Sequence, residues 1–242
     1  AGQAVVLTVE DYATLGLPTD GSGAITNANL AAVNQAVANA GGQAAVDTFP
    51  ELSGLAVAVA TIFNYADDST QAVPTVAQYT AIGVTGVTET NLAAINSAVA
   101  ANVGASVDSK GELQSIVDAY VAILAEANGA AADATPNVNP TAAQYGLIGA
   151  NIGASATQPM NLSLLNGVVG NLTAQQVDSV AEINAIAVAV DKVIALASGQ
   201  QVTLTVADYA LLGIPTAGPG SVNAGNVAAV NAAIAAAGGP SK

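Results

Sequence analysis

Apolar residues recur along this chain in two helical rhythms. Behind Thr48, Ser109 and Ser179 lie Leu52, Leu55, Val59, Ile62 and Phe63; Leu113, Ile116, Tyr120, Ile123 and Leu124; and Ile183, Ile186, Val190, Val193 and Ile194. Steps of about three, four, three and one residues draw one face of a long α-helix. A second set is shorter: Leu30, Val33 and Val37, or Leu92, Ile95 and Val99, set among Ala, Asn and Ser. A third phrase is shorter still. "TVEDYATLG" at Thr8 returns as "TVAQYTAIG" at Thr75, "TAAQYGLIG" at Thr141 and "TVADYALLG" at Thr205, spacings of 67, 66 and 64 residues.

The polar residues at the ends of these runs are start and stop signals. Thr8, Thr75, Thr141 and Thr205 each precede Asp or Gln by three residues, and Thr48, Ser109 and Ser179 precede Glu51, Glu112 and Glu182 by the same step. That spacing is a capping box, in which two side chains satisfy the orphan N–H groups of a first helical turn. Leu7 with Tyr12, and Leu204 with Tyr209, have the spacing of a hydrophobic staple. Gly16, Gly83, Gly149 and Gly213 stand where a left-handed C-cap is needed, and Pro18 and Pro215 follow.

Taken in order, the phrases read A-B-C, A-B-C, A-B-C, A-B, with the B phrase "NLAAVN" at Asn29, "NLAAIN" at Asn91, "NLSLLN" at Asn161 and "NVAAVN" at Asn226. The prediction is an all-α chain of tandem three-helix units: 1–71, 72–139, 140–200, and a two-helix partial unit 201–242. A unit of about 65 residues is marginal alone, so the units are expected to stack into an elongated array. The first and last units share a longer A–B loop, "PTDGSGAIT" and "PTAGPGSVN", where the second has "VTGVT". They are more like each other than like the middle units. That is the mark of block duplication, and predicts a longer natural protein.

Composition narrows the chemistry. Only 8% of the 242 residues are charged, with a net charge of −14, against roughly 25% charged in an ordinary soluble domain. Lys110, Lys192 and Lys242 are the cations, and there is no Arg, His, Cys or Trp. No basic footprint for nucleic acid or an anionic membrane exists. Thiolate and imidazole metal sites, haem ligation, disulfides and His- or Cys-based nucleophilic triads are excluded. The scarcity of lysine suits an extracellular chain exposed to trypsin-like proteases. A mean hydropathy of +0.52 does not signal membrane insertion, because the longest uncharged stretch, 134–177, is broken by Pro136, Pro140 and Pro159. With no signal peptide at its start, the chain is expected to be a mature product or an excised fragment.

The remaining candidates have modest readings. Tyr12, Tyr79, Tyr145 and Tyr209 are expected in the core or between units, hydroxyl at the surface; sugar stacking would need exposed rings, and only 3% of residues are aromatic. Asn29 with Asn34, and Asn91 with Asn96, are poor helix formers on different helix faces. They are expected to bond a loop or the next unit's backbone, the alternative being an amide ladder that reads a polymer. Asp67, Asp68 and Asp133 are weak calcium candidates, without a D-x-D-x-D-G loop around them. No other cofactor is expected. No acid pair is set apart for general acid–base work and no glycine-rich phosphate loop is present, so the chain is expected not to be an enzyme.

The phrases "TAAQYGLIG", "GVTETNLAAINSAVA" and "ELQSIVDAYVAILAEANGAAADATPNVNPTAAQY" resemble the all-helical tandem repeats of very large secreted bacterial surface proteins, adhesin-like and calcium-toxin-repeat-type. The resemblance spans nearly the whole chain. It implies an extracellular or cell-surface location, a spacer, stalk or matrix-fibre role, and neighbouring repeats or a cell-surface polymer as partners. The chain departs from that family in lacking glycine–aspartate nonapeptides and a β-sandwich ligand module. Two other functions stay open: a self-assembling subunit of an extracellular filament or surface layer, suggested by a fourth unit without its third helix, and a sugar or small-ligand binding module, which would require a pocket with converging polar groups.

Overall fold

The computed structural model describes residues 6–21, 23–40, 43–102, 107, 109–129 and 139–238. It is all-α. Among the described residues the α-helices are α1 (Val9–Thr14), α2 (Leu30–Ala38), α3 (Phe49–Asp67), α4 (Val76–Ala81), α5 (Leu92–Ala101), α6 (Lys110–Glu126), α7 (Ala142–Leu147), α8 (Pro159–Asn171), α9 (Val180–Ala197), α10 (Val206–Leu211) and α11 (Val227–Ala237). Extended pairing among these residues amounts to one isolated antiparallel bridge, Asn128 with Thr173. No helix among them is long and apolar enough to cross a membrane.

The six-residue helices α1, α4, α7 and α10 exist because both of their ends are closed locally. At each start the threonine hydroxyl accepts from the third backbone N–H of the helix, at 3.2–3.3 Å. The side chain of Asp11, Gln78, Gln144 or Asp208 accepts in return from the threonine N–H, at 2.7–2.9 Å. Aspartate therefore completes the box as well as glutamine does. At each end the glycine takes a positive φ, between 73° and 87°. Its N–H bonds the carbonyl three residues back, and the next N–H bonds the tyrosine carbonyl: Gly83 to Thr80 and Val84 to Tyr79 in α4, both about 3 Å. That pair of bonds is the Schellman closure. A six-residue helix is too short to persist by propensity; its capping bonds and its packing hold it.

The long helices start as their spacing predicts. Ser109 and Ser179 donate their N–H to Glu112 and Glu182 at 3.0 and 3.1 Å, and Thr48 donates to Glu51 at 3.1 Å. Their burial is wider than one stripe. In α3, Leu55, Val59, Ile62 and Phe63 are buried, and so are Ala56, Ala58, Ala60 and Ala66. The alanines turn most of the helix circumference into contact surface.

Two compact units divide the chain, Ala1–Asp118 and Ala119–Lys242, with the division falling inside α6. Within the first, α3 packs against α2 before it and against α4 and α5 after it. Within the second, α9 packs against α8 before it and against α10 and α11 after it. α3 and α9 thus each meet one short helix before them and two after them in the sequence, which accounts for the breadth of their buried faces.

The third B helix departs from the others. Pro159 sits at the helix start, so α8 begins two residues ahead of Asn161, whereas Asn29, Asn91 and Asn226 stand at the N-cap of α2, α5 and α11. Short 3-10 turns at Gln43–Ala45, Gly153–Ala156 and Ala174–Gln176 were not signalled by the apolar rhythm.

Gly149 closes α7 at φ 78°, while Gly146 lies inside it with open space where a Cβ would point. Gly149→Ala is expected to destabilise by about 1–2 kcal/mol through left-handed strain. Gly146→Ala is expected to stabilise by about 0.5–1 kcal/mol through reduced unfolded-chain entropy. Denaturant midpoints of the two variants moving in the same direction would contradict this assignment.

Candidate functional site

The recurring tyrosines and asparagines prove to be halves of one device. Tyr12, Tyr79, Tyr145 and Tyr209 are all buried, hydroxyls included. Each hydroxyl donates to the side-chain oxygen of the second asparagine of its B helix: Asn34, Asn96, Asn166 and Asn231, at 2.7–2.9 Å. Each of those amides then donates to the backbone carbonyl just before the A helix, Leu7, Pro74, Pro140 or Leu204, at 2.8–2.9 Å. The clasp ties the A helix, its entry loop and the B helix together. The expected surface position of the tyrosine hydroxyls is therefore corrected: they point inward because a buried amide is waiting for them.

The first asparagine of each B phrase works on a different loop. Asn29, Asn91 and Asn226 accept from the N–H three residues earlier and donate to the carbonyl of Ala24, Gly86 or Ser221. In α8 the shifted start leaves Asn161 with a longer 3.4 Å contact to Ala154. These bonds stay within their own unit and reach loops, not a neighbour's backbone. The amides of the clasp are spent on a hydroxyl and a carbonyl, which leaves no outward ladder for reading a polymer.

Burial raises the phenol pKa at Tyr12, Tyr79, Tyr120, Tyr145 and Tyr209. Tyr120, in α6, donates to the carbonyl of Val177 at 3.0 Å.

Of the calcium candidates, Asp68 spends its carboxylate on its own turn. It accepts from the side chain of Gln71 at 2.9 Å and from the hydroxyl and N–H of Thr70 at 2.7 and 3.0 Å, and these bonds hold its pKa below the usual range. Asp67 is exposed. Asp133 lies outside the described residues. No group of three or more acidic, His or Cys side chains comes together among the described residues.

The first compact unit contains a cavity of about 270 Å³. Ala32 and Ala36 of α2 form one wall, Leu55, Val59 and Phe63 of α3 another, and the last turn of α4 with Lys110 closes its edge. A neighbouring depression of about 310 Å³ shares Ala40, Leu55 and Ala81 with it and ends at Glu51. The α2 positions lining it are alanines; the aligned residues are Ala94 and Ala98 in the second unit and Leu164 and Val168 in the third. Lys110 is exposed, and its ammonium lies over Gly83, where a Cβ would come within 2.8 Å of it. Lys110 forms no ion pair with the described residues, among which Lys192 and Asp208 form one at 2.6 Å. In the sequence Lys110 stands out only as one of three sites for trypsin-like proteases. The usable signal was its place: the residue after the cap is Phe49 and Val180 in the other long helices.

Comparison of the chain with protein-family models, with curated proteins and with solved structures returns no match.

Tyr79→Phe is expected to cost about 1–3 kcal/mol, because it leaves the buried Asn96 oxygen unsatisfied. Adding Asn96→Leu is expected to cost less than the sum of the two single changes, and strict additivity in denaturant titrations would refute the clasp. The clasp also sets a pH limit. The folded state binds phenolic protons that the unfolded chain releases near pH 10, so stability is unaffected below that pH and falls as pH rises through it toward the folded values. Loss of helical circular dichroism should coincide with tyrosinate absorbance; ionisation of these phenols near pH 10 with the helices intact would show that they are not buried.

Proposed function

We propose that this chain is a non-enzymatic spacer or stalk segment of a bacterial extracellular surface adhesin, built from three-helix units in tandem whose partners are neighbouring repeats. The observation that carries this reading is the position of the long helices. α3 and α9 each pack on the B helix before them and on both short helices after them, so neighbouring repeats share a helix. In a solenoid such sharing transmits load from repeat to repeat. The clasp and the caps serve the same end, since each fixes a short helix that would otherwise fray.

Surface chemistry supports an extracellular place. The charge of −14 with three lysines favours solubility and offers few sites to trypsin-like proteases.

A second reading, head-to-tail assembly into a filament or surface layer, rests on unequal burial at matching positions. Ile82, Ile148 and Leu212 are 9%, 0% and 8% exposed, but Leu15 is 45% exposed. Val33 is buried, whereas its counterpart Val230 is half-buried. Apolar faces of this kind on α1 and α11 would favour contact with a further helical unit, which in a filament is supplied by another copy.

Small-angle X-ray scattering over a concentration series separates these readings. A compact chain of this length has a radius of gyration of roughly 18 Å. The stalk predicts a clearly larger value, independent of concentration. A value that grows with concentration transfers the role to the filament, and a constant value near 18 Å removes both.

A further inference from the structure

We infer that the cavity between α2, α3 and the end of α4 binds a small alkyl carboxylate, with its chain against Val59 and Phe63 and its carboxylate paired with Lys110. This is a binding activity separate from any spacer role, and it rests on three features of the site.

The first is shape. Ala32 and Ala36 line the α2 side of the cavity with small side chains, opposite Leu55, Val59 and Phe63 of α3. At ~30 Å³ for each water-sized atom, 270 Å³ admits a ligand of about nine or ten non-hydrogen atoms. The second is chemistry. The walls are aliphatic and aromatic, and the lining includes a few polar groups: Gln35 and Asn39 of α2, Ser109 and Lys110. An apolar pocket with a few polar groups at its edge is the ordinary form of a small-ligand site.

The third is charge. Lys110 is a rare cation in a strongly acidic chain, and it stands where the other long helices carry Phe49 or Val180. No carboxylate among the described residues pairs with it. The start of α6 is already capped by Ser109 and Glu112, so the Lys110 ammonium is the cation offered at this edge. A cation beside an apolar trough matches a molecule with one anionic end and one apolar end. It does not match a sugar, whose many hydroxyls would find too few partners on Leu55, Val59 and Phe63, nor an amine, which Lys110 would repel.

Isothermal titration of the full chain with octanoate, octanol and octylammonium, each below its aggregation concentration, tests the assignment. Octanoate is expected to bind saturably, at least tenfold more tightly than octanol, and octylammonium not to saturate. Lys110→Gln, at an exposed position, is expected to reduce octanoate to the level of octanol without changing helical content. Ala36→Leu is expected to abolish binding of both by filling the trough; should that variant lose its helical signal, Lys110→Gln alone decides. Equal affinity for octanoate and octanol, octanoate binding unchanged in Lys110→Gln, or no saturable octanoate binding in the millimolar range would overturn the proposal.

Discussion

A hydrogen bond between a buried phenol and a buried amide is the constraint on which this architecture depends. The A helices have six residues each, too few to be stable by backbone bonding alone. Tyr79 gives such a helix a large apolar anchor, and Asn96 gives the anchor's hydroxyl a partner. The same amide reaches on to Pro74 O, so the entry, the body and the neighbour of α4 are fixed by two bonds from one side chain. A buried amide or phenol left without a partner would cost more than the bond contributes. The pairing is therefore selective: only the native approach of the A helix to the B helix satisfies both groups at once.

Alanine then decides how closely everything else approaches. The long helices bury Ala56, Ala58 and Ala60 in α3, and Ala187 and Ala189 in α9, so neighbours can lie against almost any side of them. Alanine also loses no side-chain entropy on burial. The cost of using so small a side chain is that it fills little space. Ala32 and Ala36 lie beside a cavity, whereas Ala94 and Ala98 at the aligned positions of α5 are fully buried.

The parts legible in the sequence are those whose partners lie within one helical turn. The cap of Thr75 on Gln78 spans three residues, and the closure at Gly83 spans three to five; both are fixed by local spacing. The clasp joins residues 17 to 22 apart, and the varying loop length hides the register between the repeating tyrosine and the repeating asparagine. Each was visible as a recurrence, but their union is tertiary. The breadth of the buried face of α3 was hidden for another reason: alanine is equally at home in water and in a core, so a stripe drawn through Leu and Val understates the contact surface. The early start of α8 follows from Pro159, whose fixed φ suits a first helical turn and overrides the N-cap position that Asn29 and Asn91 hold. The cavity had no linear signature except the lysine that interrupts an otherwise apolar position at Lys110.

The scarcity of charge shapes the energetics as much as it narrows the chemistry. Interior polar groups are satisfied by amides, hydroxyls and carbonyls, whose bonds are little screened by salt and, apart from the phenols at high pH, do not titrate in the ordinary range. The clearest exception is instructive. Asp208 is buried, which by itself would raise its pKa, yet bonds from Lys192 and from Thr205 bring it below the usual carboxylate value. Its counterpart Asp11 has the same capping role and is exposed, and its lowered pKa comes from the Thr8 backbone and hydroxyl. The lysine appears where packing against α9 takes the capping carboxylate out of water, and not where the cap remains solvated. In a chain with so few cations, their positions are informative: Lys192 accompanies a carboxylate of the fold that has been desolvated, and Lys110 stands at the edge of an apolar cavity with no such carboxylate among the described residues. That difference marks Lys192 as a structural lysine and is what the ligand proposal for Lys110 rests on.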